Sequence, residues 1–171
     1  MRTAGSAPYY DWLVHVGSLT ERLRSRCPRF AVELLRQDLA LPCPDETCVL
    51  GLRPGRRAWV REVALLCCGR PAVFAHSVLP QAGLRSGWHL VGGLGNRPLG
   101  ALLFSDPLIE RTPFAFNRLD ARHPLHATAA RVAGRAAGSF WARRSAFCRN
   151  GAPILVTEVF LPDILEFARW P

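Results

Sequence analysis

Two charged residues stand in this sequence where charges are costly. Over Ala58 to Cys68 an extended chain alternates its side chains, so Trp59, Arg61, Val63 and Leu65 share one face while Val60, Glu62, Ala64 and Leu66 share the other. Each face then carries one charge among apolar neighbours. In a second run Ile154, Val156, Glu158 and Phe160 share a face on which Glu158 is the only charge. A charge withdrawn from water must be paired and hydrogen-bonded, so such residues have two readings. One is a salt bridge, Arg61 with Glu158 or Arg61 with Glu62. The other is a closed pocket in which the Arg61 fork grips a ligand carboxylate and Glu158 meets a polar group at the ligand's far end.

The elements that must position these residues read as α+β with an antiparallel sheet. Gly69-Arg70-Pro71 is turn chemistry between Ala58 to Cys68 and a second run, Ala72 to Leu79, which makes a hairpin. Ser139 to Arg149 and Pro153 to Leu161 flank Asn150-Gly151, a pair suited to a tight turn. Ile109 to Leu119 reads as extended. Ser18-Leu19-Thr20-Glu21 has capping-box spacing and starts a helix, preceded by a helical turn around Trp12, Leu13 and Val16. Pro98 to Phe104 predicts a short helix with Pro in its first turn. Arg29 to Gln37 is mixed in pattern, and Leu41 to Gly55, rich in Pro and Gly, reads as loop. With neither repeat nor linker, residues 1–171 are expected to form one domain.

Composition narrows the class. At 49% apolar and 20% charged, the chain is that of an ordinary globular protein and not a coiled coil, collagen or disordered segment. The net charge of +9 is carried entirely by Arg, with no Lys in the chain. Arg53, Arg56 and Arg57 raise a nucleic-acid reading, but the arginines are scattered and accompany no binding motif. No apolar run is long enough to span a bilayer, and Asp11 and His15 interrupt any secretory signal, so a cytoplasmic monomer is expected. The six cysteines, at 27, 43, 48, 67, 68 and 148, include no C-x-x-C pair and no zinc spacing with histidine, and are expected to be reduced.

Weaker signals have bland explanations. Gly92-Gly93-Leu94-Gly95 lacks the Lys and Ser or Thr of a phosphate loop. His76, His89, His123 and His126 follow no metal or triad spacing, Ser77 and Ser145 sit in no nucleophile elbow, and the tryptophans at 12, 59, 88, 141 and 170 read as core.

Five pieces in order carry a resemblance. Asp11-Trp12-Leu13 with Ser18-Leu19-Thr20, then Trp59-Val60-Arg61-Glu62, Gly95-Asn96-Arg97-Pro98-Leu99-Gly100, Trp141-Ala142-Arg143-Arg144-Ser145 and Thr157-Glu158-Val159-Phe160-Leu161-Pro162 follow the pattern of the chorismate pyruvate-lyase family. The chain resembles that family from about Asp11 to Pro162, nearly its whole length; the residues after Pro162 match nothing recognisable.

The resemblance implies a lyase of the ubiquinone pathway that turns chorismate into 4-hydroxybenzoate and pyruvate without cofactor or metal. It implies an antiparallel sheet with helices and a buried product pocket under flaps formed partly by the N-terminal helices. Carried over position by position, the product-binding arginine is Arg61, the pocket leucine Leu99 and the glutamate Glu158. The flap residue that is methionine in some members is Leu19, similar in volume but less adaptable. Glu158 would accept from the ring hydroxyl or act as a general base; both remain open. The enolpyruvyl carboxylate needs a further cation, for which Arg143, Arg144 and Arg111 are candidates, and alternation allows only one of Arg143 and Arg144 to face inward. Sensor domains of some bacterial transcription regulators also resemble this fold, which makes a non-catalytic effector-binding domain the rival reading. They normally follow a helix-turn-helix domain; with about ten residues before Asp11, none is expected here.

Overall fold

The run that carries Arg61 is the second of seven strands in one antiparallel sheet. The computed structural model describes residues 7–167. Among them the strands are β1 (Phe30–Ala40), β2 (Ala58–Cys67), β3 (Arg70–Leu79), β4 (Glu110–Arg111), β5 (Ala115–Asp120), β6 (Ser139–Arg149) and β7 (Ala152–Phe160). Their order is β1-β2-β3-β7-β6-β4, and β5 also pairs with β6. Both expected hairpins form. Asn150 and Gly151 turn with φ of 51° and 75°, the left-handed pair a two-residue hairpin loop needs. The first hairpin turns at Cys68 and Gly69.

Helices cover both faces. α1 (Tyr10–Leu13), α2 (Leu19–Arg26), α4 (Gln81–Arg85), α5 (Leu99–Ser105) and α7 (Ile164–Phe167) contribute to clusters on the Arg61 side. α3 (Pro44–Val49) and α6 (Pro124–Ala133) serve the other side. Ser18 caps α2, its Oγ accepting from Glu21 N at 3.3 Å. On the Arg61 side, one apolar cluster gathers Trp12, Leu23, Val63 and Phe160, and a second gathers Trp59, Trp88, Leu99, Phe147 and Ile154. The gap between them is where the site lies.

Three expectations are corrected. The mixed segment after Arg29 is the long edge strand β1, whose pattern is broken by a register shift between Leu34 and Arg36. A bulge of this kind reverses which side chains face inward, so alternation fails as a sequence signal. The Leu41 to Gly55 loop holds α3, begun by Pro44 and closed by reciprocal bonds between Cys43 and Glu46. Cys27 and Cys67 are not reduced but joined in a disulfide that ties the end of α2 to the end of β2. No spacing rule could pair them, because they meet only once the helix lies on the sheet. Trp170 lies outside the described residues; Trp12, Trp59 and Trp88 are core, as expected.

Candidate active site

Four strands build the floor of a chamber. In register across the sheet, Arg61 of β2 faces Ser77 of β3, Ser77 faces Val156 of β7, and Val156 faces Ser145 of β6. The next inward row is Val63, Ala75, Glu158 and Arg143. Arg61 and Glu158 therefore rise from strands separated by two inter-strand spacings, about 10 Å. Between them stand only the short side chains of Ala75 and Ser77, which leave room where larger residues would fill it. The resulting space is about 620 Å³ including its mouth, and Leu19, Leu99, Leu103, Phe114 and Phe147 line its walls.

Arg61 is 2% exposed and has no acidic partner among the described residues. Its Nη2 donates to the carbonyls of Gly95 at 2.9 Å and Arg97 at 2.8 Å, while its Nε is buried without a hydrogen-bond partner. Burial pushes its pKa down to about 10. Both salt bridges raised as alternatives for this residue are thus absent. The carbonyls reach it because the loop before α5 is docked on β1. At the irregularity in that strand Leu34 N donates to Asn96 Oδ1 at 3.1 Å, and Gln37, the register partner of Arg61, donates to Gly92 O at 2.9 Å. Gly95 holds φ of 54°, a conformation that favours glycine. The Gly95 to Gly100 motif is thus a device for orienting one guanidinium.

Glu158 is not solitary. Its Oε2 accepts from Arg143 Nε at 2.5 Å, and the Arg143 side chain is almost fully buried. Arg143 is therefore the inward member of its pair. Its Nη1 donates to the carbonyls of Trp12, Leu13 and His15, which tethers the N-terminal flap to the residue holding Glu158. Arg144 points to the opposite face and pairs with Asp45, outside the chamber, so it is withdrawn as a pocket cation. Arg111 lines the chamber and donates from Nη1 to Val16 O at 2.7 Å, a second tether on the same flap. Burial, and next the nearby Arg143, lower its pKa. The Phe114 ring meets both guanidinium groups, each 4.3 Å from its centroid. The ring's π face attracts cations and offsets part of the repulsion between these two. Sequence reasoning missed Phe114 and the flap carbonyls; the former lies in a short segment between β4 and β5 with no pattern of its own.

The roof is formed where two helix starts meet. Leu19 opens α2, Leu99 opens α5, and both are buried against the chamber. A β-carbon added at Gly100 would sit 3.2 Å from Thr20 Oγ1 and 3.3 Å from Ser18 Oγ, so only glycine permits this approach without displacement.

On the opposite face, His76 is buried between two carboxylates, Nδ1 at 3.0 Å from Glu62 Oε1 and Nε2 at 3.3 Å from Glu46 Oε2. Burial opposes protonation of the ring, but the hydrogen bonds and charges of Glu46 and Glu62 outweigh it and push its pKa up to about 9. Cys43 lies beside this group, and burial together with the neighbouring carboxylates raises its thiol to about 12.

With the chamber in place, the comparisons with known proteins decide the family. The chorismate lyase family model matches residues 4–169. The chain belongs to the chorismate lyase family. It is 53% identical over 157 residues to a probable chorismate pyruvate-lyase of Aromatoleum aromaticum, covering 91% of this chain and 85% of the relative. It is 51% identical over 154 residues to the probable chorismate pyruvate-lyase of Thiobacillus denitrificans, covering 90% and 82%. Among solved structures, the C-terminal domain of the histidine utilization repressor from Pseudomonas syringae pv. tomato superposes with a TM-score of 0.60 at 12% identity, covering 79% of this chain and 93% of that one. At that identity the match establishes the shared fold alone. The fold is thus common to chorismate lyases and regulator domains, and membership of the first group comes from sequence. No described helix is long and apolar enough to cross a membrane.

Proposed function

We propose that this single-domain chorismate lyase eliminates pyruvate from chorismate to give 4-hydroxybenzoate, with Arg61 binding the ring carboxylate and Glu158 accepting from the ring hydroxyl. The observation that carries the residue roles is Arg61 itself. A buried guanidinium with an unpartnered Nε and no counter-ion is costly unless an anion completes it. The charge count agrees: Arg61, Arg111 and Arg143 against Glu158 leave the chamber at +2, which complements the two carboxylates of chorismate.

Arg111 is our choice for the second carboxylate. Arg143 spends its Nε on Glu158 and its Nη1 on three flap carbonyls, whereas Arg111 makes one such bond. Glu158, with Oε2 held by Arg143, presents its other oxygen as an acceptor. Much of the driving force is in the substrate, since loss of pyruvate makes the ring aromatic. The ring hydrogen at C4 passes to the enolpyruvyl methylene in a six-membered arrangement while the C–O bond breaks. The chamber's part is to hold the ether over the ring and stabilise the developing charge with fixed guanidinium groups. Incubating the purified protein with chorismate alone and assaying 4-hydroxybenzoate and pyruvate tests the reading; equimolar products are expected. Saturable binding of chorismate without turnover would instead favour an effector-binding domain.

Two further results are expected. A site roofed by α2 and α5 must reopen to free a planar aromatic acid, so added 4-hydroxybenzoate should inhibit strongly and its release should limit turnover. A stopped-flow release rate far above kcat would contradict this. Gly100→Val would drive side-chain atoms into Ser18 and Thr20 and lift the flap. Product affinity should then fall about tenfold, the equivalent of roughly 1.4 kcal/mol of lost packing. Unchanged affinity by calorimetry would mean that the contact between the two helix starts does not close the chamber.

A further inference from the structure

We propose that Cys43, Glu46 and His76 form a binding site for one divalent transition-metal ion of the zinc class, behind the sheet and apart from the chamber. The inference stands independently of the reaction assigned above. A thiol, a carboxylate oxygen and an imidazole nitrogen lie within 4.8 Å of one another, all on buried residues. For bonds of about 2.0–2.3 Å the edges of a tetrahedron are about 3.3–3.7 Å. The separation of His76 Nε2 from the Glu46 carboxylate, 3.3 Å, matches such an edge. These residues come from different elements, Cys43 and Glu46 bracketing the start of α3 and His76 lying in mid-β3, which is why no sequence spacing announces them.

The fourth residue is what separates this cluster from an accidental gathering of acids. Glu62, from β2, binds His76 Nδ1 at 3.0 Å, on the far side of the ring from Cys43 and Glu46. That is the arrangement in which a carboxylate fixes the tautomer of a metal-binding histidine and turns its other nitrogen toward the ion. The exchange also balances. With His76 protonated and Cys43 neutral, the four residues carry −1; a divalent ion that displaces the Cys43 thiol proton and the His76 Nε2 proton leaves them at −1. No additional net charge is buried. Glu46 also lines an open cleft together with Asp45, His123 and Thr157, the side from which an ion would approach. The ion would brace α3, between β1 and β2, against β3.

The test uses the full chain, freed of metal with a chelator and titrated with Co2+ and then Zn2+. One equivalent of Co2+ is expected, with near-ultraviolet thiolate-to-metal absorption that Zn2+ abolishes and with two protons released. Cys43→Ser, which keeps a capping residue at α3, should remove the absorption while 4-hydroxybenzoate formation is retained. Glu62→Gln should weaken binding about 10- to 100-fold. Absence of stoichiometric binding would overturn the proposal. So would a thiolate band that persists in Cys43→Ser, which would place the metal on another cysteine.

Discussion

Arg61→Ala is expected to raise the KM for chorismate and weaken 4-hydroxybenzoate binding by at least about 30-fold, corresponding to the roughly 2–5 kcal/mol lost when one partner of a buried charge pair is truncated. The ligand carboxylate would enter the same apolar chamber and find no cation. Stability should respond differently. Among the described residues Arg61 has no acidic partner to leave behind, and its side chain ends in a space already connected to solvent, so truncation opens no sealed cavity. The losses are two hydrogen bonds to Gly95 and Arg97; the gain is relief from burying an uncompensated cation. The melting temperature should therefore stay nearly constant while affinity falls. A large drop in melting temperature with affinity preserved would make Arg61 a structural residue.

Glu158→Gln should behave in the opposite way. It keeps the shape and an acceptor oxygen but removes the charge that balances Arg143, a residue 2% exposed. Both stability and catalysis should suffer. The stability loss should fall below the about 3–5 kcal/mol of fully buried pairs, because Glu158 is partly exposed and the amide oxygen still accepts. For an acceptor role kcat should drop by about tenfold, the worth of a weakened hydrogen bond. A general-base role would cost about 10²- to 10⁴-fold. The engagement of Glu158 with Arg143 favours the smaller value. Steady-state kinetics beside a thermal melt distinguishes the two, and a loss beyond a hundredfold in a well-folded variant would reinstate Glu158 as the base. Because Arg143 also holds the carbonyls of Trp12, Leu13 and His15, the same substitution should speed product release.

The runs of β2, β3, β6 and β7, both hairpins and the inward faces of β2 and β7 are legible in the sequence, because side-chain alternation is a local property of extended backbone, whereas the bulge in β1 hides that strand. So were Arg61 and Glu158, for a charge among apolar neighbours stands out wherever the strand goes. Partners were not legible. Alternation offers Arg61 either Glu158 or Glu62 as a partner, yet it meets two carbonyls of a loop that β1 holds in place, and Glu158 meets Arg143 through the register of β6 against β7. The Cys27–Cys67 bond and the His76 cluster escaped for the same reason.

Sequence alone determined which side chains of β2 and β7 share a face, which charges stand alone on it, and which family the motifs resemble. The tertiary structure decided which of Arg143 and Arg144 enters the chamber, what each charge touches, and that Arg61 is left with an unpartnered Nε. Alternation depends on neighbours along one strand, whereas an ion pair depends on register, bulges and loops that bring distant segments together.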